Sequence, residues 1–462
     1  MSEKNISRRE ALRAMVLAGA GLAVGTPLLA EAASKAVADT AAANPQDWKT
    51  AEPSKDDQVI KRNWPSLGSS VSLLGMGCMR FPRKGGATGR NAPLDQDAVN
   101  AMIDYALQHG INYFDTAPAY GDSERATGEA LSRHPRESYY VATKMSNFRN
   151  SDLGACKKMF AASLRNLRTK YVDFFLLHSI DSVKDFRKRF VDNGLLPYLQ
   201  DLRKKGTIRH LGFSFHGSNA ALREMLDMPY NWEFVQIQMN YVDWKHMPLD
   251  DSDEPCDSET LYRMLAEKNI PVVIMEPIRG GALANVSKGL GNKLAERFPK
   301  LSPAGVALTF ASSFPGVMCT LSGMSNMRQL TENVYTFSHF EPFGEKDNAY
   351  LMEMARLYNS NPHIPCTGCR YCMPCPRKVD IPGVFAVYNG ASDALMLPDP
   401  KDRKDRKFKA KRKAFLTRYA TLAEGTDASA CVQCRACLSK CPQKIRIPAQ
   451  MEMIQKLVKD LG

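Results

Sequence analysis

The chain has 462 residues, 44% of them hydrophobic and 24% charged, a globular balance that excludes a wholly disordered, collagen-like or coiled-coil protein and leaves room for two or three domains. Lys and Arg number 62 against 49 Asp and Glu, a formal net charge of +13, which suits nucleic acid, anionic lipid or an acidic protein and selects none of them. Of the 12 cysteines, eight fall in two tight runs whose spacing reads as metal ligation, not as the disulfide framework of a small secreted domain.

The first element in chain order is Ser7-Arg8-Arg9-Glu10-Ala11-Leu12, followed by a mildly apolar stretch from Ala14 to Ala30. That stretch is rich in Gly and Ala, contains Pro27 and is short for a spanning helix. Ala30-Glu31-Ala32 has the small-x-small pattern of a processing site, so cleavage is expected after Ala32. Together these features resemble a twin-arginine export signal over residues 1–32, a receptor-read address and not an anchor. The resemblance implies a periplasmic protein with no transmembrane anchor once the signal is removed, and a route suited to chains folded around cofactors. A basic amphipathic helix retained in the cytoplasm is the competing reading. Residues 33–58, rich in Ala, Asp, Thr and Pro, read as a flexible linker.

From residue 59 to 340 apolar, β-rich runs alternate with segments of helical period. The expected strands are Val71–Gly77, Ile111–Thr116, Tyr139–Lys144, Phe174–His178, His210–Phe215, Phe234–Met239, Val272–Glu276 and Cys319–Gly323. Leu94–Gln108, Asp152–Leu167 and Ala220–Leu226 are helices between them. Eight such units predict an α/β fold of (β/α)8 TIM-barrel type. A doubly wound sheet is the alternative, but the first strand–helix turn, Gly75-Met76-Gly77-Cys78-Met79-Arg80, lacks the G-x-G-x-x-G fingerprint. Barrel enzymes carry their chemistry at the C-terminal ends of the strands. Asp115, Lys144 and His178 end three consecutive strands here, and Tyr120 lies in the loop after Asp115. A single such residue is usually structural, whereas four titratable types arriving at one rim point to a site. A polar plug is the alternative.

The stretches Gly110-Ile111-Asn112-Tyr113-Phe114-Asp115-Thr116-Ala117, Tyr120-Gly121, Ala142-Thr143-Lys144, Leu176-Leu177-His178 and Gly206-Thr207-Ile208-Arg209-His210-Leu211-Gly212-Phe213-Ser214 resemble the aldo/keto reductase family. The resemblance covers essentially the whole barrel. It implies a catalytic tetrad of Asp115, Tyr120, Lys144 and His178 acting on a small carbonyl or alcohol. Tyr120 would protonate the alkoxide left by hydride delivery. An ordinary phenol, with a pKa near ~10, holds its proton too firmly for this at neutral pH. Lys144 would stabilise the phenolate, Asp115 would hold Lys144, and His178 would orient the carbonyl. By position, Ser214 and Gln236 fit the grip on a nicotinamide carboxamide, and Glu332 and Asn333 fit the adenine end of NAD(P)(H). Gly280 and Gly281 would allow close approach of the pyrophosphate. Phe215 stands where the family commonly has Asn, and Met275 where a ring stacks on the nicotinamide. The loop Gly323-Met324-Ser325-Asn326 lacks a Lys or Arg for a 2′-phosphate, which argues against a preference for NADP.

A connecting helix is expected over 341–361, followed by a small ferredoxin-like domain over 362–455. Its first run is Cys366-x2-Cys369-x2-Cys372-x2-Cys375-Pro376; its second is Cys431-x2-Cys434-x2-Cys437-x3-Cys441-Pro442. The second has the bacterial ferredoxin spacing for a [4Fe–4S] cluster, in which three thiolates come from one run and the fourth from the other. On that rule Cys366, Cys369, Cys372 and Cys441 hold one cluster, and Cys431, Cys434, Cys437 and Cys375 hold a second. Zinc is the alternative, although its paired C-x2-C knuckles do not ask for two four-cysteine runs each ending in proline. The tails Val379-Asp380-Ile381-Pro382 and Ile445-Arg446-Ile447-Pro448 suggest a duplicated half-domain with a helical insertion at about 383–428. Within the insertion, Lys401 to Lys413 carries nine Lys/Arg and two Asp, read as a solvated helix or as a docking surface for an acidic electron carrier. A reductase barrel joined to a dicluster tail resembles a recognisable branch of the same family.

Two functional classes follow. In the first, an exported oxidoreductase interconverts a carbonyl and an alcohol while two [4Fe–4S] clusters relay electrons to a redox partner protein, with no role for nucleic acid. In the second, the barrel binds a ligand or partner without hydride chemistry and the protein only transfers electrons.

Overall fold

The computed structural model describes residues 52–86, 92–247, 255–360, 362–394, 396–441, 443 and 445–462. The export-type segment, most of the linker and Pro442 lie outside them. The chain first forms an antiparallel hairpin of β1 (Lys61–Trp64) and β2 (Ser69–Ser72). Then come β3 (Leu74–Gly77), β4 (Tyr113–Asp115), β5 (Tyr140–Met145), β6 (Val172–Ile180), β7 (Ile208–Phe215), β8 (Val235–Gln238), β9 (Val272–Met275) and β10 (Val317–Ser322). These eight close into a parallel barrel in the order β10-β3-β4-β5-β6-β7-β8-β9. They are almost continuously apolar because parallel strands under helices are buried on both faces.

The expected first strand, Val71–Gly77, is in fact two. Its first half pairs with β1 and only Leu74–Gly77 enters the barrel. Side-chain hydrogen bonds hold the break: Asn112 Oδ1 accepts from the Ser72 amide at 2.8 Å, and Ser72 Oγ donates to the Leu74 carbonyl at 2.7 Å. Alternation alone cannot show such a corner. Arg62 fastens the hairpin by donating to the carbonyls of Ser312, Phe314 and Val317. Leu67 and Val71 pack on Tyr113, Phe174, Phe234 and Met318 inside the barrel, at the end where the strands begin. The opposite end is left for chemistry.

The outer helices start where short polar side chains cap them. Asp95, Asp152 and Asp257 accept from the amides of Ala98, Ala155 and Thr260 at 3.1, 2.9 and 2.7 Å. A helix over Glu345–Asn359 then buries Leu351, Met354 and Tyr358 on the barrel's outer core, within the expected connecting segment.

The remainder consists of loops and the helices Ile381–Asp393, Phe408–Tyr419 and Ile447–Leu461, with no β-strand among the described residues. The last helix runs past the expected boundary at 455. The apolar core of this part, which includes Ile364, Val379, Phe385, Ile445, Met451 and Ile454, is separate from that of the barrel. The suspected duplication is visible in the backbone: Ile381–Asp393 and Ile447–Leu461 each follow a cysteine run and each begin Ile-Pro.

Candidate active site and cysteine loops

The strand ends bring the tetrad together. Asp115 ends β4, Lys144 lies near the end of β5 and His178 lies in the last turn of β6; all three are buried, Lys144 to 1% exposure. Lys144 Nζ donates to Asp115 Oδ1 at 2.5 Å and to the Thr116 carbonyl at 3.0 Å. It also sits 5.1 Å from the centre of the Tyr120 ring. Tyr120 enters from a single turn, Pro118–Tyr120, and meets His178 edge-on with 5.8 Å between ring centroids. Burial pulls the Lys144 ammonium below its ordinary pKa and pushes the Asp115 carboxyl above its own, while the contact between them opposes both shifts. Burial first, and then the neighbouring Lys144 and Arg189 cations, hold His178 well below the ordinary histidine value, so its ring is neutral near pH 7.

The sequence did not single out Ser146, Phe148 or Arg189, which support this histidine. Ser146 Oγ lies 2.6 Å from His178 Nδ1, leaving Nε2 as the nitrogen available to a substrate oxygen. Phe148 lies tilted against the His178 ring, 5.1 Å between centroids, and is 47% exposed at the rim. Arg189 donates to the His178 carbonyl at 2.7 Å. The signal for Ser146 was its place two residues beyond Lys144, on the same face of an extended strand.

The residues assigned to a nicotinamide differ in how well they fit one. Gln236 is buried with Oε1 unpartnered, an acceptor that a ligand amide could satisfy. Ser214 Oγ is buried and accepts from the Ser179 amide at 2.7 Å. Phe215 turns into the outer core against Phe213. At the adenine end, Glu332 accepts from Ser302 and Asn333 donates to Ser322 Oγ at 2.9 Å. Gly281 (φ +103°) has open space where a side chain would be, whereas a Cβ at Gly280 would come within 2.3 Å of the Thr367 carbonyl oxygen. The close approach that Gly280 permits is therefore used by the chain's own cysteine loop, not left for a pyrophosphate.

That loop and the end of the second cysteine run are seated on the barrel rim by polar contacts. Arg80, after β3, donates to the Thr367 carbonyl at 2.5 Å. Gln238, ending β8, exchanges side-chain amide bonds with Gln443 at 3.0 and 3.3 Å. Glu276, after β9, is half-buried; desolvation raises its pKa, and Arg80 pulls against the rise. Arg279 pairs with Asp243 at 3.4 Å and faces the Tyr358 ring.

The eight cysteines segregate by electrostatic proximity. Cys366 feels Cys369, Cys441 and Arg80, and Cys372 feels Cys366, Cys369 and Cys441 with a smaller effect from Cys437. Cys437 feels Cys431, Cys434 and Cys375. Burial pushes the Cys366 and Cys372 thiols up to about 12 and that of Cys437 to about 11. The two runs share an unusual backbone. Gly368 and Gln433, each two residues after a first cysteine, have φ of 63° and 54°; Arg370 and Arg435, each four after, have 63° and 62°. Left-handed residues alternating in this way turn successive amides into a concavity, the nest found around phosphates and iron–sulfur clusters. Beside the second run, Cys375, Cys431, Cys434 and Cys437 line a small recess, partly open to solvent, with Cys372, Val379, Ile381 and Ile447 among its walls. Among the described residues no three His, Cys, Asp or Glu close to the distances that hold a single metal ion.

The sequence model of the aldo/keto reductase family matches residues 73–356. The chain belongs to this family. It is 26% identical over 312 residues to the L-galactose dehydrogenase of Arabidopsis thaliana, a match covering 63% of this chain and 92% of the relative. It is likewise 26% identical over 234 residues to the NADH-specific methylglyoxal reductase of Escherichia coli (strain K12), covering 46% and 66%. Among solved structures, an aldo-keto reductase of Bacillus halodurans in its holo form has the same fold with a TM-score of 0.51 and 22% identity, over 64% of this chain and 96% of that one. The protein is thus an oxidoreductase of aldo/keto reductase type.

Proposed function

We propose that this oxidoreductase is an exported iron–sulfur enzyme that interconverts a small carbonyl and an alcohol in the barrel. Its two [4Fe–4S] clusters would serve exchange of electrons with a redox partner. The observation that carries the first half is the buried Lys144–Asp115 pair beneath the Tyr120 ring. A charged lysine held there stabilises the phenolate that Tyr120 becomes when its proton goes to the carbonyl oxygen. Asp115 fixes Lys144 in place. Neutral His178, with Ser146 donating to Nδ1, keeps its proton on Nε2 and directs it at the same oxygen. A bound nicotinamide supplies or accepts the hydride; Gln236 and Ser214 would hold its carboxamide. The relatives named as dehydrogenase and as NADH-specific reductase support this chemistry.

For the second half, the support is the crossed grouping of Cys366, Cys369, Cys372 and Cys441 against Cys431, Cys434, Cys437 and Cys375, together with the duplicated nests. Each cluster, when bound, takes up and releases one electron at a time. Zinc would ask for paired C-x2-C knuckles, not two four-cysteine runs each ending in proline. Export rests on the twin arginines and the Ala30-Glu31-Ala32 site. No described helix is long and apolar enough to cross a membrane.

A second reading, electron transfer or ligand binding without hydride chemistry, is favoured by Thr367 filling the space at Gly280. Denaturing the purified holoprotein and assaying released nucleotide separates the two. A nicotinamide and loss of carbonyl turnover in Tyr120→Phe support the first. Iron and sulfide without nucleotide, with no carbonyl turnover in the wild type, establish the second.

A further inference from the structure

The two cysteine groups differ in what surrounds them. The Cys366 group is pinned to the barrel rim, its own loop through Thr367 against Arg80 and Gly280, and its fourth member Cys441 through the neighbouring Gln443. The Cys431 loop faces outward: Cys434 is exposed, and Val432 beside it is 54% exposed. The recess that this loop lines opens to solvent, and its walls contain Arg377 and Arg435 but no Asp or Glu. Lys378, next to Arg377, is exposed, and so is Met453, an apolar residue on the last helix. The acidic neighbours of the recess are both engaged, Glu452 by Gln433 at 2.9 Å and Asp380, between Val379 and Ile381, by Arg370 at 3.3 Å. An exposed apolar centre with a basic rim has the make-up of a protein contact surface whose partner is acidic.

The more conspicuous basic stretch, Lys401 to Lys413, is a weaker candidate. None of its residues lines the recess. Arg412 is turned onto the carbonyls of Leu461 and Gly462, and Arg403 onto that of Asp460, so part of this charge fastens the end of the chain. Lys411 pairs with Asp405.

We infer that the rim of the outer recess, centred on Val432 with Arg377 and Arg435, is the docking surface for an acidic one-electron carrier protein. This rests on the iron–sulfur reading above. The exchange moves one electron between the outer cluster and the carrier's redox centre, one being oxidised as the other is reduced, with no bond made or broken and no proton moved.

Small redox ions of opposite charge test the local field. Holoprotein reduced with dithionite is mixed in stopped flow with ferric EDTA, an anion, or with tris(phenanthroline)cobalt(III), a cation; each takes one electron from the protein. Between about 20 and 300 mM salt the rate with ferric EDTA is expected to fall about three- to tenfold and that with the cobalt complex to rise. Arg377→Glu/Arg435→Glu should reverse both trends. Lys409→Glu/Lys413→Glu, which changes the net charge equally, should leave them nearly as in the wild type. Equal effects of the two double variants, or a larger effect of the second, would overturn the assignment. So would a wild type that reacts faster with the cation at low salt, a result readable even if the recess variant loses its cluster. Protein without iron and sulfide fails the iron–sulfur reading itself, a distinct result seen before any kinetics.

Discussion

Lys144 is a charge placed where water cannot reach it, and its only charged hydrogen-bond partner among the described residues is Asp115. Removing one member of such a pair strands the other, a loss of about 3–5 kcal/mol. Lys144→Met should therefore lower both turnover, by at least about 100-fold, and the melting temperature. Asp115→Asn/Lys144→Met should recover much of the stability and none of the turnover; recovery of turnover would remove Lys144 from the mechanism. His178 gives a pH signature. Its folded pKa lies below the ordinary value of 6.5, so the unfolded chain binds the proton first as pH falls. Stability from this group is complete above about pH 6.5 and declines below it, at up to about 1.4 kcal/mol per pH unit, until the folded pKa is reached. His178→Gln should flatten that limb in thermal melts from pH 7 to 5, and an unchanged slope would contradict a buried neutral imidazole. At this scale the tetrad positions were legible because strand ends concentrate polar residues after apolar runs. Ser146 and Arg189 were not, since a hydroxyl and an arginine beyond a strand look like any surface residue until the neighbouring loop folds over them.

The elements place that chemistry and leave one end of the barrel for it. The alternation of strands and helices could be read from periodicity. The corner at Leu73 could not, because it depends on hydrogen bonds between Ser72 and Asn112, forty residues apart. The cysteine loops show the same limit. Their spacing picked out eight candidate ligands, but the left-handed residues at matching positions became visible only in the backbone. Gly368 can be tested against its counterpart Gln433. A β-branched side chain is strongly disfavoured at φ of 63°. Gly368→Val should therefore lower the iron content of anaerobically isolated protein from about eight to about four atoms per chain. Gln433→Gly, relieving a left-handed non-glycine residue, should keep full iron and raise stability by about 1 kcal/mol. Full iron in Gly368→Val would show that the nest is not needed to hold a cluster. Gly280→Val probes the seam between the two parts, since its side chain would meet the Thr367 carbonyl. It should destabilise the protein by about 1–3 kcal/mol, and an unchanged melting temperature would indicate that the loop gives way freely.

For the whole molecule, the arrangement sets an aldo/keto reductase barrel beside two groups of cysteines, the inner group on the barrel rim and the outer group at the surface. The sequence showed both parts and their order. It could not show that the inner loop would occupy the space beside Gly280, because Thr367 and Gly280 lie far apart in the chain and neither is unusual in composition. That contact limits how a dinucleotide could enter or leave, so a nicotinamide held here is expected to co-purify and not to exchange during gel filtration. The claim on which the rest depends is that the eight clustered thiolates hold iron. Protein isolated without oxygen and assayed for metal and acid-labile sulfide should contain about eight atoms of iron and about eight of sulfide per chain; zinc in place of iron, or thiols with neither metal nor sulfide, would contradict it.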